Sequence, residues 1–298
     1  MVISQYFVEF IFYSFLGWVW ESIYCTSKEK KWADRGFLFG PVCPIYGSSV
    51  VVASMVFSHI PAFADPNFPI WAIFIVCYIG SAIAEFGTSW VLEKRFHARW
   101  WDYSNIPLNI QGRICVPVST AFGLAGILVV KYLIPFVNGM HAVVPAFVYE
   151  VCAIAFAAAF GADFALTEAS LSALLKDVEK MHQEFNIQAQ QNYEKIAAVP
   201  SAVSEKLRSE VSSIENRLSM EKETMEARIA ASRKRISALH VASLSFNQKR
   251  ILSSISRFTS DKNKTTKQNA DRLALITNMK EHLRKGKKEN IDSETEGS

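Results

Sequence analysis

Apolar residues crowd into the first 168 positions of this 298-residue chain, in runs long enough to cross a bilayer, and that segregation excludes an ordinary soluble fold. A helix needs about 20 apolar residues to span the hydrocarbon core. Runs of that kind fall at 4–24, 38–60, 69–92, 115–137 and 143–167. The mean hydropathy of +0.13 averages a first part rich in Phe, Trp, Val and Ile with a second part rich in Lys, Glu, Ser and Arg, and it describes neither. The expectation is an all-α fold: a polytopic membrane bundle of about five transmembrane helices over residues 1–168, then a cytoplasmic helical, partly coiled-coil extension over 169–285 and a disordered polar tail over 286–298.

The opening Met1–Gln5 has no positive stretch of the kind that begins a secretory leader, and the first run ends in Trp18, Trp20 and Glu21 rather than a small-residue cleavage site. That run is expected to remain as a helix. Gly40, Pro41, Pro44, Pro117 and Pro145 lie near the starts of segments two, four and five, where proline is easily accommodated.

Orientation follows from the loops. Lys28, Lys30, Lys31 and Arg35 lie between segments one and two, and Lys94, Arg95, Arg99 and Arg113 between three and four. Residues 61–68 carry only Asp65, and 138–142 carry no Lys or Arg. The positive-inside rule therefore puts the N-terminus outside and everything after residue 168 in the cytoplasm. The net charge of +4 reads as membrane orientation, and no RNA- or DNA-binding motif is visible, so nucleic acid is not an expected partner. The five cysteines lie in or beside apolar segments, without a Cys-x-x-Cys or a nearby His at metal spacing, and read as reduced packing residues. Neither a metal nor a cofactor is expected.

Beyond segment five, Leu171, Leu174, Leu175, Val178 and Met181 continue the helical period. After Pro200, Leu207, Val211, Ile214, Leu218, Met225, Ile229, Ile236 and Leu239 recur three, four or seven apart, an imperfect heptad seam flanked by Lys, Arg and Glu. A homo-oligomer held by these cytoplasmic helices is expected, with an amphipathic helix on the lipid headgroups as the alternative. A further helical stretch is expected at about 268–285.

Ionisable side chains inside a span are expensive and are functional candidates by default. On this orientation Glu21, Glu85, Asp163 and Arg113 all face the inner leaflet. The stretch Arg35 to Gly47 holds three glycines and two prolines and weakens regular helix, which is tolerated at membrane depth only beside protein or a water-filled cavity. A cytoplasm-facing polar cavity is expected, with Glu21, Arg35, Pro41, Pro44, Tyr46, Glu85, Arg99, Asp102, Asn109, Gln111, Arg113 and Asp163 as candidates. Close helix packing with snorkelling charges is the competing reading. A second cluster, Glu9, Lys131 and Glu150, is expected near the outer surface, more in keeping with helix packing than with substrate. Residues 96–113 carry aromatics suited to the headgroup layer and cations suited to lipid phosphate, while Asn109, Gln111 and Gly112 point to a re-entrant or gating loop.

Phe15-Leu16-Gly17-Trp18 with Glu21, Arg35-Gly36-Phe37-Leu38 with Gly40-Pro41 and Cys43-Pro44-Ile45-Tyr46-Gly47, Ala84-Glu85 with Ser89-Trp90, and Arg99-Trp100-Trp101-Asp102-Tyr103 through Asn109-Ile110-Gln111-Gly112-Arg113 occur in this order. With these strings the chain resembles the bacterial multi-spanning family called putative ABC-transporter type IV, over about residues 10–140. The resemblance implies a transporter-permease role for an unknown solute. The chain holds no G-x-x-x-x-G-K-[ST], so an ATPase would be a separate subunit. Two rival functions stand beside it. One is a membrane enzyme acting on lipid headgroups or lipid-linked substrates, with Glu21, Glu85, His97 and Asp102 as acid or base groups beside Arg99 and Arg113. The other is a membrane-anchored coiled-coil scaffold or sensor.

Overall fold

A computed structural model describes residues 2–29, 36–65, 67–197, 227, 230–259 and 266–295. Arg35 lies outside them, as do the seam positions Leu207 to Met225 and Ile229. The chain divides into two compact units, Met1–Ala169 with Ser254–Arg257, and Ser170–Ser253 with Phe258–Ser298.

The first unit is a helical bundle. Helix α1 spans Val2–Glu29, α2 Pro44–His59 and α3 Ile70–Phe96. After three two-residue strands, β1 (Ala98–Arg99), β2 (Asn109–Ile110) and β3 (Ile114–Cys115), helix α4 runs over Val116–Leu128. A wide π turn at Val129–Leu133 joins it to α5, Ile134–Met140. Pro135 accounts for the widening, because it lacks the N–H that would bond back to the Lys131 carbonyl. Helix α6, Ala146–Ala197, runs on past the end of this unit.

Among the described residues, three helices are long and apolar enough to cross a membrane: Ile70–Phe96, Val116–Met140 and Ala146–Glu184. They correspond to the last three of the five expected spans. Helix α1 has 28 residues, about 42 Å at 1.5 Å per residue, which is length enough, but Gln5, Glu9, Tyr13 and Glu21 dilute its apolarity. Helix α2 has only 16 residues, about 24 Å, against a hydrocarbon core of about 30 Å. The expected second span from residue 38 is helical only from Pro44, which takes the first-turn position where its missing N–H is harmless. Before it, Gly36–Pro41 is a series of bends.

The distribution of polarity is inverted. Glu9, Ser14, Ser22, Ser54, Glu85, Ser89 and Ser119 are buried, whereas Trp71, Ile79, Ile83, Leu124, Leu128, Phe136, Phe147 and Ile154 are exposed. A surface this apolar suits lipid rather than water. Helix α3 packs on α4, and α1 on α2, through small residues. A Cβ on Gly123 would run into the Phe74 ring, one on Gly126 into Cys77, and one on Gly17 into Tyr46.

The second unit is helical as well. It comprises the end of α6, helix α7 over 230–243, helix α8 (Phe246–Ser254, all but its last residue) and helix α9 (Thr266–Thr295), which extends past the expected end near 285. Leu171, Leu174, Val178, Met181, Leu252, Leu275, Ile276 and Met279 form its core. Gln248 Nε2 donates to Asp177 Oδ2 at 2.6 Å, and Arg233 pairs with Asp271. Of the two described heptad positions, Ile236 is buried and Leu239 exposed.

Candidate functional site

Helix α3 ends where His97 takes a left-handed conformation (φ 50°), its N–H donating to the Glu93 carbonyl at 2.8 Å. The chain then folds into a braced loop rather than an open one. Strands β2 and β3 pair Asn109 with Cys115 and Ile110 with Ile114, around a turn in which the Arg113 N–H donates to the Ile110 carbonyl at 3.0 Å. Gln111 (φ 54°) and Gly112 (φ 69°) both have positive φ, the signature of a type I′ hairpin turn. Gly112 is required twice over, since a Cβ there would also collide with Asp102 and Ser104. Asn109 ties the loop together, donating through Nδ2 to the Ile106 carbonyl at 2.7 Å and accepting from the Gly112 N–H at 2.9 Å.

Beside the hairpin lies a clamp on two arginines. Glu93 Oε2 is 2.7 Å from both Arg99 Nε and Arg113 Nη2. Arg99 Nη1 also donates to the Gln111 carbonyl at 2.8 Å, and Arg113 Nη1 to Ser89 Oγ at 3.4 Å. Arg113 is only 7% exposed, so its charge depends on this carboxylate. Glu93 was no candidate in the sequence, where Glu93-Lys94-Arg95 looks like a solvated helix end.

One helical turn or two further into the unit, a carboxylate cluster forms. Glu85 is 6% exposed and accepts from the Tyr103 hydroxyl through Oε1 at 3.1 Å, while its Oε2 is buried with no hydrogen-bond partner among the described residues. Burial first, and then the facing Glu85 carboxylate, push the Tyr103 phenol above its ordinary range. Glu21 lies within electrostatic reach of Tyr103, Glu85 and Tyr46, and accepts from the Cys43 thiol at 3.7 Å. Three sequence candidates on three helices, Glu21, Tyr46 and Glu85, are thus brought together.

Asp163 has a different task. Its two oxygens accept the backbone N–H groups of Phe39 and Gly40 at 2.9 and 2.8 Å. This α6 carboxylate replaces the helical hydrogen bonds that Gly40, Pro41 and Pro44 deny the segment. Phe37, set edge-on to Trp100 at 5.2 Å and near Phe96 and Phe164, fastens the same segment to the loop. Pro41 is exposed in the bend.

Asp102 accepts from the Ser104 hydroxyl at 2.5 Å and its N–H at 3.1 Å, and pairs with Arg257 at 3.2 Å. Burial alone would raise its carboxyl, but the Ser104 hydrogen bonds and Arg257 outweigh that and hold it below the usual carboxylate range. The Ser256 N–H donates to the Arg99 carbonyl at 2.7 Å, so the Ser254–Arg257 segment is stitched to the loop.

The expected outer cluster is built differently. Glu9 is met by His141, with Nε2 3.0 Å from Oε1, while Lys131 sits half-exposed in the π turn and Glu150 is exposed. Sequence depth put these three at one level but could not give the helix rotation that turns Glu150 outward. No group of three or more His, Cys, Asp or Glu able to hold a metal occurs among the described residues. A groove of about 490 Å3 on the outer side of α3 and the hairpin is lined by apolar groups such as Ile79, Ile83, Leu108 and Ile110, and is not centred on the carboxylates.

The family model described as "Putative ABC-transporter type IV" matches residues 8–168, more than half of the chain. The chain belongs to this family. The match takes in the broken segment, the hairpin, both carboxylates and Asp163, and in the type IV family match only Ser254–Arg257 of the first unit falls far outside the span. No curated protein and no solved structure matches the chain.

Proposed function

We propose that this chain is the membrane subunit of a type IV family transporter, in which a small solute passes the interrupted second segment near Glu21 and Glu85, and in which a separate chain hydrolyses ATP. The observation that carries the reading is the interruption itself: non-helical backbone held by the Asp163 carboxylate of another helix, beside buried carboxylates from α1 and α3. Discontinuous segments next to charged residues are how many transporters make their binding sites. Membership of the type IV family supports it further. The basic loops support a five-span insertion in a bacterial inner membrane with the N-terminus outside and the C-terminal unit in the cytoplasm. The first unit is small for a complete pathway, so a homo-oligomer through the cytoplasmic helices completes the reading.

The test is purification of the full chain in mild detergent from its native membrane, with mass-spectrometric identification and quantification of what comes with it. A P-loop ATPase at fixed stoichiometry is the expected result. Recovery with lipid alone, or as a homo-oligomer without any nucleotide-binding chain, would overturn it in favour of a lipid-directed enzyme or a scaffold.

A further inference from the structure

Four residues of α1, Glu9, Tyr13, Gly17 and Glu21, recur at intervals of four and form one stripe that winds about 40° per step, at levels about 6 Å apart along the helix. The stripe is turned inward. Glu9 and Tyr13 are each 2% exposed, and both Glu9 Oε2 and the Tyr13 hydroxyl are buried without a hydrogen-bond partner among the described residues. At the third level Gly17 leaves room for the ring of Tyr46, and Tyr46 in turn lies within electrostatic reach of Glu21, Cys43, Tyr103 and Glu85. At the fourth level Glu21 joins Glu85, whose Oε2 is also buried and unpartnered. Ser14 and Ser22, on the same helix, add two further buried hydroxyls without partners among the described residues.

Buried polar atoms are normally satisfied, and a run of orphans at successive levels of one helix needs an explanation. Helix packing alone does not supply one, because apolar side chains would pack as well without the desolvation cost. We infer that this face of α1 is a proton path across the membrane unit, from Glu9 at one end through Tyr13 and Tyr46 to Glu21 and Glu85 at the other. Carboxyls and phenols are the groups that can take up a proton on one side and give one up on the other. Each transfer breaks one O–H bond and forms one on the next acceptor, and rotation of the hydroxyls and carboxyls back afterwards returns the chain to its starting state for the next proton. A tyrosine side chain or one bridging water spans the 6 Å between levels.

The ends suit entry and exit. At one, His141 is 3.0 Å from Glu9 and sets its ring edge-on to Tyr149 at 5.4 Å, while the Tyr6 hydroxyl lies 3.4 Å from His59 Nε2. At the other, Tyr103 donates to Glu85 from the hairpin loop. The groups facing Glu9 are therefore Tyr6, Tyr13, Tyr149 and His141, and those facing Glu85 are Tyr46, Tyr103 and Glu21. The inference requires that α1 cross the bilayer and does not depend on an ATPase partner.

The experiment uses the full chain, alone, in phosphatidylcholine–phosphatidylglycerol vesicles containing pyranine. A valinomycin-imposed potassium potential drives protons inward. The wild type is expected to acidify the lumen at least tenfold faster than protein-free vesicles, and E9Q, Y13F and E85Q to lose most of that rate while inserting normally. A wild-type rate equal to that of protein-free vesicles or of Y13F overturns the path. A second measurement does not need the variants to fold. Dicyclohexylcarbodiimide, which modifies protonated carboxyls in apolar surroundings, should label both Glu9 and Glu85 in the wild-type bilayer protein and spare exposed Glu150. Labelling of neither, or of only one of the two, also overturns it.

Discussion

Replacing Asp163 by Ala removes the carboxylate that holds the Phe39 and Gly40 amides of the broken segment. The carboxylate accepts two backbone N–H groups at 2.9 and 2.8 Å. Hydrogen bonds to a charged group contribute about 1.5–3 kcal/mol each, and Asp163 is only half-buried, so the lower end of the range applies and the pair is worth about 3 kcal/mol. The segment should then open locally about 100-fold more often, since 1.4 kcal/mol is a factor of ten in an equilibrium constant. Cys43 reports on that opening directly. The residue is 3% exposed, and its N–H donates to the Ser14 carbonyl at 2.9 Å, so it is alkylated only when the segment leaves α1. Maleimide labelling followed by site-resolved mass spectrometry should show Cys43 reacting roughly 100-fold faster in Asp163→Ala. Cys115, buried at the foot of α4, serves as the internal standard and should be unchanged. Asp163→Asn, which keeps one acceptor, should fall between. Equal Cys43 rates in wild type and Asp163→Ala would show that the carboxylate does not hold the segment.

Arg113→Ala removes one of the two arginines clamped on Glu93 while Arg99 stays, so a loss of about 1.5–3 kcal/mol is expected, read as a lower melting temperature in detergent and faster hydrogen exchange across 97–115. Gly112→Ala forces a side chain into a positive-φ turn and against Asp102 and Ser104; about 1–3 kcal/mol of strain should appear as trypsin cleavage at Arg113 that wild type resists. Asp102 has a folded pKa held down by Ser104 and Arg257, so its stabilisation is present above the unfolded carboxylate value of about 4 and disappears as pH falls through the lower folded value. Amide exchange at Ser256 should therefore accelerate below about pH 4 in wild type, and Asp102→Asn should already exchange fast at neutral pH and show little further change.

Much of this architecture is legible from residues that act locally, and little from residues that act across the bundle. Gly40, Pro41 and Pro44 announce a break in the second segment because backbone propensity is a local property. That Asp163 repairs the break is invisible, although Asp163 itself stands out as an acid in a span, because no periodicity reports a partner 123 positions away. The Gln111-Gly112 pair foreshadows a tight turn, yet the roles of Asn109 and Gly112 in bracing it emerge only with the fold. Glu93 is hidden by its neighbours Lys94 and Arg95, the usual composition of a wet helix end. His141, in a polar turn, gives no sign that it meets Glu9. The last three spans pass on both length and apolarity, whereas α1, legible in the sequence as the run 4–24, is diluted by the very acids and tyrosines that its buried face carries.

That dilution bears on what α1 is for. A helix selected only to anchor the chain would gain by replacing Glu9, Tyr13 and Glu21 with leucine, since lipid-facing and core-facing positions are equally content with apolar side chains. Instead the polar groups lie on the buried side, at four-residue intervals, while the apolar surface of the unit faces outward. Glycines at 17 and 47 draw α1 and α2 close along this face, and the collisions that a Cβ would cause with Tyr46, Ser14 and Phe10 show how little room there is to relax. Close packing fixes the depth of each polar group, and depth is what a path through a membrane requires. The broken start of α2 then has a second consequence: by delaying the helix until Pro44 it brings Cys43 and Tyr46 beside Glu21 and Glu85, so the interruption and the carboxylates form one site at the foot of that path.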